Sequence, residues 1–515
     1  MPSISFMVAA ATVALAALHA QGPIVFVGTS VGGSTDAHFF VDVATGGVVN
    51  QSGNTFTDNV TDAVWTGLGT RLYVSQSIQP RVSLAQWNGT TPTWSNFYNA
   101  PGACYGLGHD AARHRLWVLT GPSGSTRELV CLDADPASAG YGTVIVQTTS
   151  LTGPSRERWE LSPSGNLAAV PHVFIQSGLF QLVDTDPGSP TFLQIVASAP
   201  VPNLAASTLA IVSDCAIRRD DQYAFVLYSG VLGSGGSLNG LAMWHVPTGQ
   251  WVDFDPATPG VQNFNLPLPV ANAMDLSYDG SFAVVSGQGG GGWVGRVDID
   301  YVNPANTTFT QFTVAQGVPN CNAVSLAPDG SRLAVSATPV NLASPSYLAV
   351  LDVTGATLSY TQLSGAWNVY TTAWQDLAGS FVPFGHGCSG VLGEPVLAAA
   401  PGSLPTVGQP FTVQLTNVPI PVAFFAAGLS NTASGGVPLP VDLGLLGMPG
   451  CPLLVDPMFL DLDVSGTAAV SHVYQLPNQS NLVGLLFYVQ GFPIDGSANA
   501  MGIIASNGGT GRIGL

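Results

Sequence analysis

The chain has 515 residues, of which 46% are hydrophobic and only 8% charged, and its formal net charge is −18. This composition excludes an intrinsically disordered chain, which would be poor in apolar residues and rich in charge. The 12 basic residues are all arginine, and the net negative charge argues against nucleic acid as a partner, because phosphate binding requires positive charge. The 61 glycines and 38 prolines favour a turn-rich, all-β structure.

A run of small and apolar residues lies near the amino terminus, from Phe6 to Leu18. As a helix it would span about 20 Å, less than the ~30 Å of a hydrocarbon core. It therefore predicts a signal peptide, residues 1–20, cleaved near Ala20, and export to the extracellular space, the cell surface or the periplasm. No basic residue precedes the run, which departs from the usual pattern, and the alternative is a buried first strand. No later run predicts a transmembrane segment.

An imperfect repeat occupies residues 21–384. Each copy contains a short strand, a turn with Asp or Gly, and an apolar strand, as in Leu326-Ala-Pro-Asp-Gly330 followed by Leu333 to Ser336. The equivalent apolar anchors are Trp65, Leu107, Leu161, Ile217, Leu276, Leu326 and Trp374. Successive anchors lie 42 to 59 residues apart, with several short strands in each unit, and this pattern predicts a β-propeller.

The two ends of the repeat region predict one shared blade. Ile24 to Val27, His38 to Val43 and a weaker run near Val48 are typical of second, third and fourth strands that lack a first strand. Val369 to Trp374 is a first strand with little of a blade after it. Together they would complete a seventh blade and close the ring, which protects the sheet edges. The alternative is an open stack of sheets or an array of sandwiches.

The turns Leu161-Ser-Pro-Ser-Gly165 and Leu326-Ala-Pro-Asp-Gly330 resemble those of bacterial seven-bladed propellers of the lactonase-like, quinoprotein-dehydrogenase-like and TolB-like groups. The resemblance covers about Gly22 to Pro383. It implies the fold and not a function, since those groups include enzymes, binding modules and proteins without an assigned activity. The WD dipeptide pattern of another propeller class is absent from the sequence.

Residues 385–515 predict a second, smaller all-β domain. Its expected strands are Pro395 to Ala400, Pro410 to Val418, Val422 to Leu429, Cys451 to Asp456, Phe459 to Val464, Ala468 to Leu476, Leu482 to Gln490 and Met501 to Ser506. Short strands between Gly and Pro turns indicate a β-sandwich or a jelly roll. The phrases at Gly387 to Gly390, Pro449 to Leu453 and Ala498 to Gly508 resemble carboxyl-terminal modules of large secreted bacterial proteins. That resemblance implies a surface, sorting or carbohydrate-contact role.

Six cysteines in an exported chain raise the question of disulfides. Cys388 and Cys451 are the only two in the second domain, each beside glycines, and we expect them to be bridged. Cys104 and Cys131 would lie on the first and third strands of one blade, about 9.5 Å apart, which is too far for a disulfide. We expect the remaining four to be buried free thiols: Cys104, Cys131, Cys215 and Cys321.

The charged segment Arg156-Glu-Arg-Trp-Glu160 is the leading candidate binding site. It falls on an innermost strand beside the central channel, and alternation places Arg156, Arg158 and Glu160 on one face. Arginine binds carboxylate and phosphate bidentately, so an anionic ligand is one interpretation. The alternative, which we favour, is an ion-pair network between blades. Its candidate partners are Asp214, Arg218 and Asp275.

Motifs for catalysis, metals or cofactors lack a supporting context. Gly28 to Gly32 matches a hydrolase nucleophile elbow and Gly287 to Gly292 a dinucleotide fingerprint, but no helical pattern follows either one. His109 and His114 flank a turn and are expected to be solvated. A calcium ion could meet acids of the second domain, although exposed acids are commoner there: Asp456, Asp461 and Asp463. We therefore expect no catalytic residue, no metal and no cofactor.

The sequence thus predicts a secreted, acidic, all-β monomer made of a seven-bladed propeller and a β-sandwich. The expected function is binding or structure, with an unknown surface, protein or carbohydrate partner. The alternative is a lactonase-like or quinoprotein-type enzyme with its site at the channel. An enzyme would bring carboxylates, histidines or metal ligands together at one channel mouth. Outside Arg156 to Glu160, the first strands predict instead a channel lined by Ser, Thr, Gly and apolar groups.

Overall fold

The computed structural model describes residues 24–514 with internal gaps. The gaps are residues 31–37, 44, 53–59, 67–68, 112, 122–126, 149–150, 152–157, 173–177, 203–206, 233–236, 257–262, 278–279, 288–291, 314–319, 329, 339–344, 364–367, 376–378, 401–402, 466–468, 478–481 and 483–484. The expected signal peptide and Arg156 lie outside the described residues, as do parts of the two glycine motifs. The chain divides into two compact units, of which one is Ala20–Asp376 and the other contains Leu377–Leu515.

Seven antiparallel sheets are formed by the described residues of Ala20–Asp376. We number them by position along the chain and give their strands in hydrogen-bonded order. Sheet 1 contains Asn368–Trp374, Ile24–Ser30, His38–Asp42 and Gly47–Ser52. Sheet 2 contains Val60–Thr66, Arg71–Gln76, Arg81–Trp87 and Pro92–Asn99. Sheet 3 contains Ala103–Asp110, Arg115–Gly121, Glu128–Asp133 and Val144–Gln147.

The other four sheets follow the same order along the chain. Sheet 4 contains Glu160–Leu161, Leu167–His172, Leu179–Asp184 and Ile195–Pro200. Sheet 5 contains Ser207–Ile217, Tyr223–Leu232, Ser237–His245 and Gln250–Trp251, with Leu266–Pro267 also paired to its third strand. Sheet 6 contains Ala271–Leu276, Phe282–Gly287, Trp293–Asp298 and Thr308–Thr313, and a 3₁₀ turn at Pro304–Asn306 precedes the last strand. Sheet 7 contains Asn320–Leu326, Arg332–Thr338, Tyr347–Asp352 and Thr357–Gln362.

Sheet 1 combines the two ends of the repeat region, as the sequence predicts. Ile24–Ser30 pairs with Asn368–Trp374 in antiparallel register, with Val27 opposite Thr372. The register shifts after Gly28, where the chain packs so closely that a Cβ would lie 2.7 Å from a methyl of Thr371. Glycine is therefore the residue that this close approach permits.

The first strands of successive sheets contact one another, and the first strand of sheet 1 contacts those of sheets 2 and 7. Two tryptophan side chains join sheet 1 to its neighbours. The indole nitrogen of Trp65 in sheet 2 donates to the carbonyl of Ala373 at 3.1 Å, and that of Trp374 donates to the carbonyl of Ser325 in sheet 7 at 2.8 Å. Antiparallel sheets arranged in this way form a β-propeller.

Apolar side chains fill the spaces between neighbouring sheets, which explains why the middle strands are apolar at consecutive positions. Every residue of Phe282–Gly287 is buried, because sheets 5 and 7 cover both faces of sheet 6. Between sheets 1 and 2 the packing is aromatic, and the rings of Phe40 and Trp87 stack at 4.5 Å. His38 is fully buried beside them, and burial lowers its pKa to about 3.

The unit containing Leu377–Leu515 has two main sheets that share one hydrophobic core. The larger is five-stranded, in the order Ser380–Phe384, Gly508–Arg512, Leu486–Pro493, Val422–Gly428 and Phe459–Val464. The smaller contains Val396–Ala399, Pro410–Thr416 and Val470–Gln475. Two short ribbons pair Ala433–Ser434 with Val437–Pro438 and Val441–Asp442 with Pro452–Leu453, and a 3₁₀ turn spans Leu443–Leu446.

One expectation for this unit changes. The strand expected at Met501 to Ser506 is not formed, and Gly508–Arg512 pairs instead with both Ser380–Phe384 and Leu486–Pro493. Ser380–Phe384 belongs to this sheet, and the compact unit that contains it includes Leu377–Leu515. Aromatic rings cover the glycine-rich strand, and a Cβ at Gly509 would overlap the ring of Phe381.

The cysteines are as the sequence predicts. A disulfide joins Cys388 to Cys451, 63 residues apart in the chain. The other four are free and buried: Cys104, Cys131, Cys215 and Cys321. In the described part of the chain, no helix is long and apolar enough to cross a membrane.

Candidate functional site

A cavity of about 450 Å³, open to solvent, occupies the channel of the propeller. Residues from the first strands of all seven described sheets line it, and the turns at Ser162–Pro163 and Pro328 lie at its rim. Every first strand alternates its side chains between the two neighbouring sheets, so polar residues on these strands meet at the sheet boundaries. The cavity is therefore the place where the charged residues of the first strands come together.

Three aspartates on first strands fasten neighbouring sheets to one another. Asp62 accepts a hydrogen bond from the amide of Ala63 at 2.8 Å and another from the amide of Leu107 in sheet 3 at 2.9 Å. Each of the other two likewise binds the next amide in its own strand and one in the following sheet. These are Asp214, with Cys215 and Met274, and Asp275, with Leu276 and Leu326. The three carboxylates thus satisfy backbone donors that the sheet ladders leave unpaired.

Arg158 crosses the channel. Its guanidinium forms an ion pair with Asp214 of sheet 5 at 3.3 Å and donates to the carbonyl of Asn322 at 2.7 Å. Asn322 belongs to sheet 7, and sheets 5 and 6 lie between it and sheet 4 along the chain. The side chain of Arg158 therefore joins strands from three different sheets across the cavity. Asn322 is held in turn by the amide of Asn272 at 3.5 Å.

Glu160 projects into the cavity two residues beyond Arg158, on the same side of the strand. Among the described residues, no donor forms a hydrogen bond or an ion pair with its carboxylate. The surrounding channel walls raise the pKa of Glu160 above its ordinary value, as do the charges of Asp275, Asp214 and Asp62, although the side chain itself is exposed to the solvent of the cavity. Glu160 is thus the acid in this cavity whose oxygens remain available to a ligand.

Burial also raises the pKa values of the aspartates. The pKa of Asp62 rises to about 6 and that of Asp275 to about 7, although the backbone hydrogen bonds to each carboxylate favour its charged form. Desolvation exceeds the effect of the two amide donors at both positions. Two carboxyl groups near the channel therefore change charge close to neutral pH.

The structure brings together part of the site expected from the sequence. Arg158 and Glu160 both line the cavity, whereas Arg156 lies outside the described residues. Arg158 makes the ion pair with Asp214 that the favoured interpretation expects. Of the other two candidate partners, Arg218 pairs with Asp220 and lies over the rings of Tyr223 and Tyr301. Asp275 accepts hydrogen bonds from backbone amides instead.

The channel is more acidic than the sequence predicts, since Asp62 also lines it. The signal for Asp62 is a single carboxylate inside an otherwise uncharged strand, Val60–Thr66, in a propeller whose first strands lie beside the channel. The same signal marks Asp214 and Asp275, which had been considered only as partners of Arg158. A buried acid in an apolar strand requires a donor, and unpaired backbone amides at the sheet boundaries supply it.

The residues considered as metal ligands are dispersed. His109 lies at the cavity, and His114 occupies a turn with φ 52°. In the carboxyl-terminal unit, Asp461 and Asp463 flank His472. In the part of the chain that the structure describes, no three His, Cys, Asp or Glu side chains are placed to hold a metal ion together.

Comparison with known proteins gives similarities to solved structures alone, since no family model and no curated protein matches the chain. The β-propeller domain of Cps50 (Swd1) from Myceliophteria thermophila is 12% identical, with a TM-score of 0.43 over 60% of this chain and 88% of that one. A putative 6-phosphogluconolactonase from Bacteroides uniformis is 13% identical, with a TM-score of 0.45 over 69% and 99%. TolB from Acinetobacter baumannii is 11% identical, with a TM-score of 0.39 over 68% and 83%. At these values the similarity carries no information about activity.

Proposed function

We propose that this protein is a non-catalytic binding protein that takes a small ligand into the channel of its propeller. The observation that carries the proposal is Glu160, whose carboxylate projects into a cavity of about 450 Å³ and has no partner among the described residues. Ligand sites are usually concave and contain a few convergent polar groups, as this cavity does. The propeller forms the walls of the site, and the carboxylate of Glu160 orients the ligand within it.

The neighbouring charges favour a ligand that carries ammonium or hydroxyl donors. Asp214 neutralises the guanidinium of Arg158, so an anionic ligand would have to displace an existing ion pair. Glu160 presents its carboxyl group to the cavity, and carboxylate oxygens accept hydrogen bonds from ammonium and hydroxyl groups. An amino sugar combines both kinds of donor.

Binding is favoured over catalysis because the aspartates are already committed. Asp62, Asp214 and Asp275 each hold two backbone amides, which fixes their orientation toward the protein. The second candidate function, a lactonase-like or quinoprotein-type enzyme, is supported by the pKa values of Asp62 and Asp275, about 6 and about 7. Carboxyl groups with such pKa values could exchange protons with a substrate at neutral pH.

The setting of this function is part of the proposal. Residues 1–20 act as a signal peptide, and the mature monomer is secreted or held at the cell surface. Its propeller is a closed ring of seven blades with one blade shared between the chain ends. The two sheets around the carboxyl-terminal core form a β-sandwich that contacts a surface, protein or carbohydrate partner. The pairing of Ile24–Ser30 with Asn368–Trp374 supports the shared blade, and the core common to the two sheets supports the sandwich.

Titration calorimetry of the full chain with glucosamine, and with spermidine as a purely cationic probe, tests the binding role. We expect glucosamine to bind, because its ammonium group favours the charged form of Glu160. Glu160→Gln should weaken the complex about tenfold, since a hydrogen bond to a charged group contributes about 1.5–3 kcal/mol. The matched control is Glu128→Gln, on the third strand of sheet 3 and outside the cavity, which should leave affinity unchanged. Absence of binding by both probes, or equal affinity of the Glu160 variant, would contradict the proposal.

A further inference from the structure

The carboxyl-terminal unit ends its five-stranded sheet with an apolar edge strand. Phe459–Val464 is the last strand of that sheet, and among the described residues it pairs with Val422–Gly428 alone. Its other edge therefore presents backbone donors and acceptors that no described strand occupies. Proteins usually blunt such an edge with prolines, lysines or bulges, and this strand contains none of them.

The outward face of the edge strand is a row of exposed aliphatic side chains. Leu460, Leu462 and Val464 are 62%, 54% and 71% exposed and alternate along the strand. Farther into the sheet, Phe424 packs in a cluster with Met448 and the disulfide cysteines. The segment closed by the disulfide thus covers the centre of this sheet face but leaves the edge row uncovered by the described residues.

The inward face of the same strand is acidic. Asp463 contacts the Nδ1 of His472 at 2.6 Å, and Asp461 lies 3.7 Å from its Nε2. The imidazole ring stacks on Phe425 of the adjacent strand with the centroids 5.4 Å apart, which fixes its position. The histidine therefore holds both carboxylates at the sheet edge, and the Asp461 side chain is still 54% exposed.

We propose that Phe459–Val464 binds an extended segment of a partner protein, which adds a strand to the sheet. The partner segment alternates apolar residues, placed beside Leu460, Leu462 and Val464, with basic residues placed beside Asp461 and Asp463. Strand addition supplies backbone hydrogen bonds, and the alternating side chains supply selectivity. Opposite charges on directly opposed strands stabilise the pairing, and like charges destabilise it.

Charge decides between a basic partner and a second copy of this chain. Two copies joined through this edge would oppose acidic strands, in a protein that has a net charge of −18 and no lysine. The two aspartates thus act against self-association, as inward charges do at other sheet edges, while they favour a basic segment. The occupant of this edge is accordingly a different protein.

Fluorescence anisotropy with a labelled ten-residue peptide that alternates valine and lysine tests the proposal on the full chain. We expect saturable binding of this peptide and at least tenfold weaker binding of its valine–glutamate analogue. Leu462→Lys, which places a cation in the apolar row, should lower affinity for the valine–lysine peptide about tenfold. The matched control is Leu445→Lys, at a fully exposed leucine outside the strand, which should bind as the original chain does.

Three results would overturn the proposal. The first is failure of the valine–lysine peptide to bind, and the second is equal binding of the valine–glutamate peptide. The third is a dimer in light scattering that Leu462→Lys dissociates, since it would assign the edge to a second copy. None of these results bears on Glu160, so this test and the glucosamine titration fail independently.

Discussion

At the scale of single residues, the propeller contains acids in the channel and a buried histidine between sheets 1 and 2, and the two kinds of group respond to pH in opposite directions. Asp275 has a folded-state pKa of about 7, above the value near 3.9 of an unfolded chain. Between these values the folded protein keeps a proton that the unfolded chain has lost, so this group's contribution to the unfolding free energy falls as pH rises. His38, with a pKa near 3 when folded, contributes stability that rises with pH up to about 6.5.

Replacing Asp275 by Asn isolates the contribution of its ionisation to stability. The side-chain oxygen of Asn can still accept the hydrogen bond from the backbone N–H of Leu326, but the Asn side chain does not titrate. We expect the melting temperature of Asp275→Asn, relative to the original chain, to rise between pH 5 and pH 8. Each unit of pKa shift corresponds to about 1.4 kcal/mol of stability when the charge is not screened. Solvent in the channel screens the charge of Asp275, so we expect the difference in stability between the two chains to change by about 1–3 kcal/mol in total. Differential scanning calorimetry at several pH values measures it.

The control for that experiment is Asp135→Asn, in a turn outside the channel, whose relative stability should stay level over the same pH range. A constant or falling difference for Asp275→Asn would show that this carboxyl is already ionised in the folded protein at pH 5.

The limits of sequence analysis are clearest at the level of residues. Arg158 and Glu160 stood out because four charged residues occur in five positions of a chain that is only 8% charged. Asp62 was missed because its partner, the amide of Leu107, belongs to the next sheet, 45 residues away. Nor could the sequence show that Arg158 reaches a carbonyl of sheet 7, since this depends on where the circle of sheets places Asn322.

At the scale of elements, the sequence predicts the strands that belong to the repeat, but it does not predict a strand such as Gly508–Arg512 that occurs once. The anchors Trp65 and Leu326 located first strands because the same apolar pattern recurs around a turn. Gly508–Arg512 has no β-branched residue except Thr510, so its propensity argued against a strand. Phenylalanine rings from Ser380–Phe384 and Leu486–Pro493 cover its glycines, and that tertiary packing outweighs the local preference.

The disulfide between Cys388 and Cys451 ties a covering segment to the face of the five-stranded sheet. Closing a loop of this length stabilises a fold by about 4 kcal/mol in the chain-entropy treatment. We expect the double substitution Cys388→Ser and Cys451→Ser to lower hydrogen-exchange protection throughout residues 379–514. Mass spectrometry of the exchanged peptides locates the effect.

In the same experiment, peptides from sheets 1 to 7 should keep their protection, and treating the original chain with a reductant should reproduce the loss. Unchanged protection in residues 379–514 would mean that apolar packing around Phe424 alone holds the covering segment.

At the scale of the whole molecule, each of the two units has its own core, and the proposed activities divide between them. The unit Ala20–Asp376 surrounds a cavity, which suits a small ligand, whereas the other unit presents an uncovered strand, which suits an extended chain. The repeats predicted the architecture of Ala20–Asp376 because each copy of the repeat forms one sheet. A ligand has no comparable repeat, and the chemistry of the channel became evident only when residues from separate sheets were brought together.

The channel exists because the two ends of the repeat region meet in sheet 1, so this pairing is the claim on which the binding proposal rests. The most direct test is a double variant, Val27→Cys with Thr372→Cys, which places two thiols at directly opposed positions. Mass spectrometry after mild oxidation should find peptides containing positions 27 and 372 joined by a disulfide. Val27→Cys with Thr310→Cys, in sheet 6, should give none. A chain that folds but leaves positions 27 and 372 unjoined would contradict a circle of sheets and the channel within it.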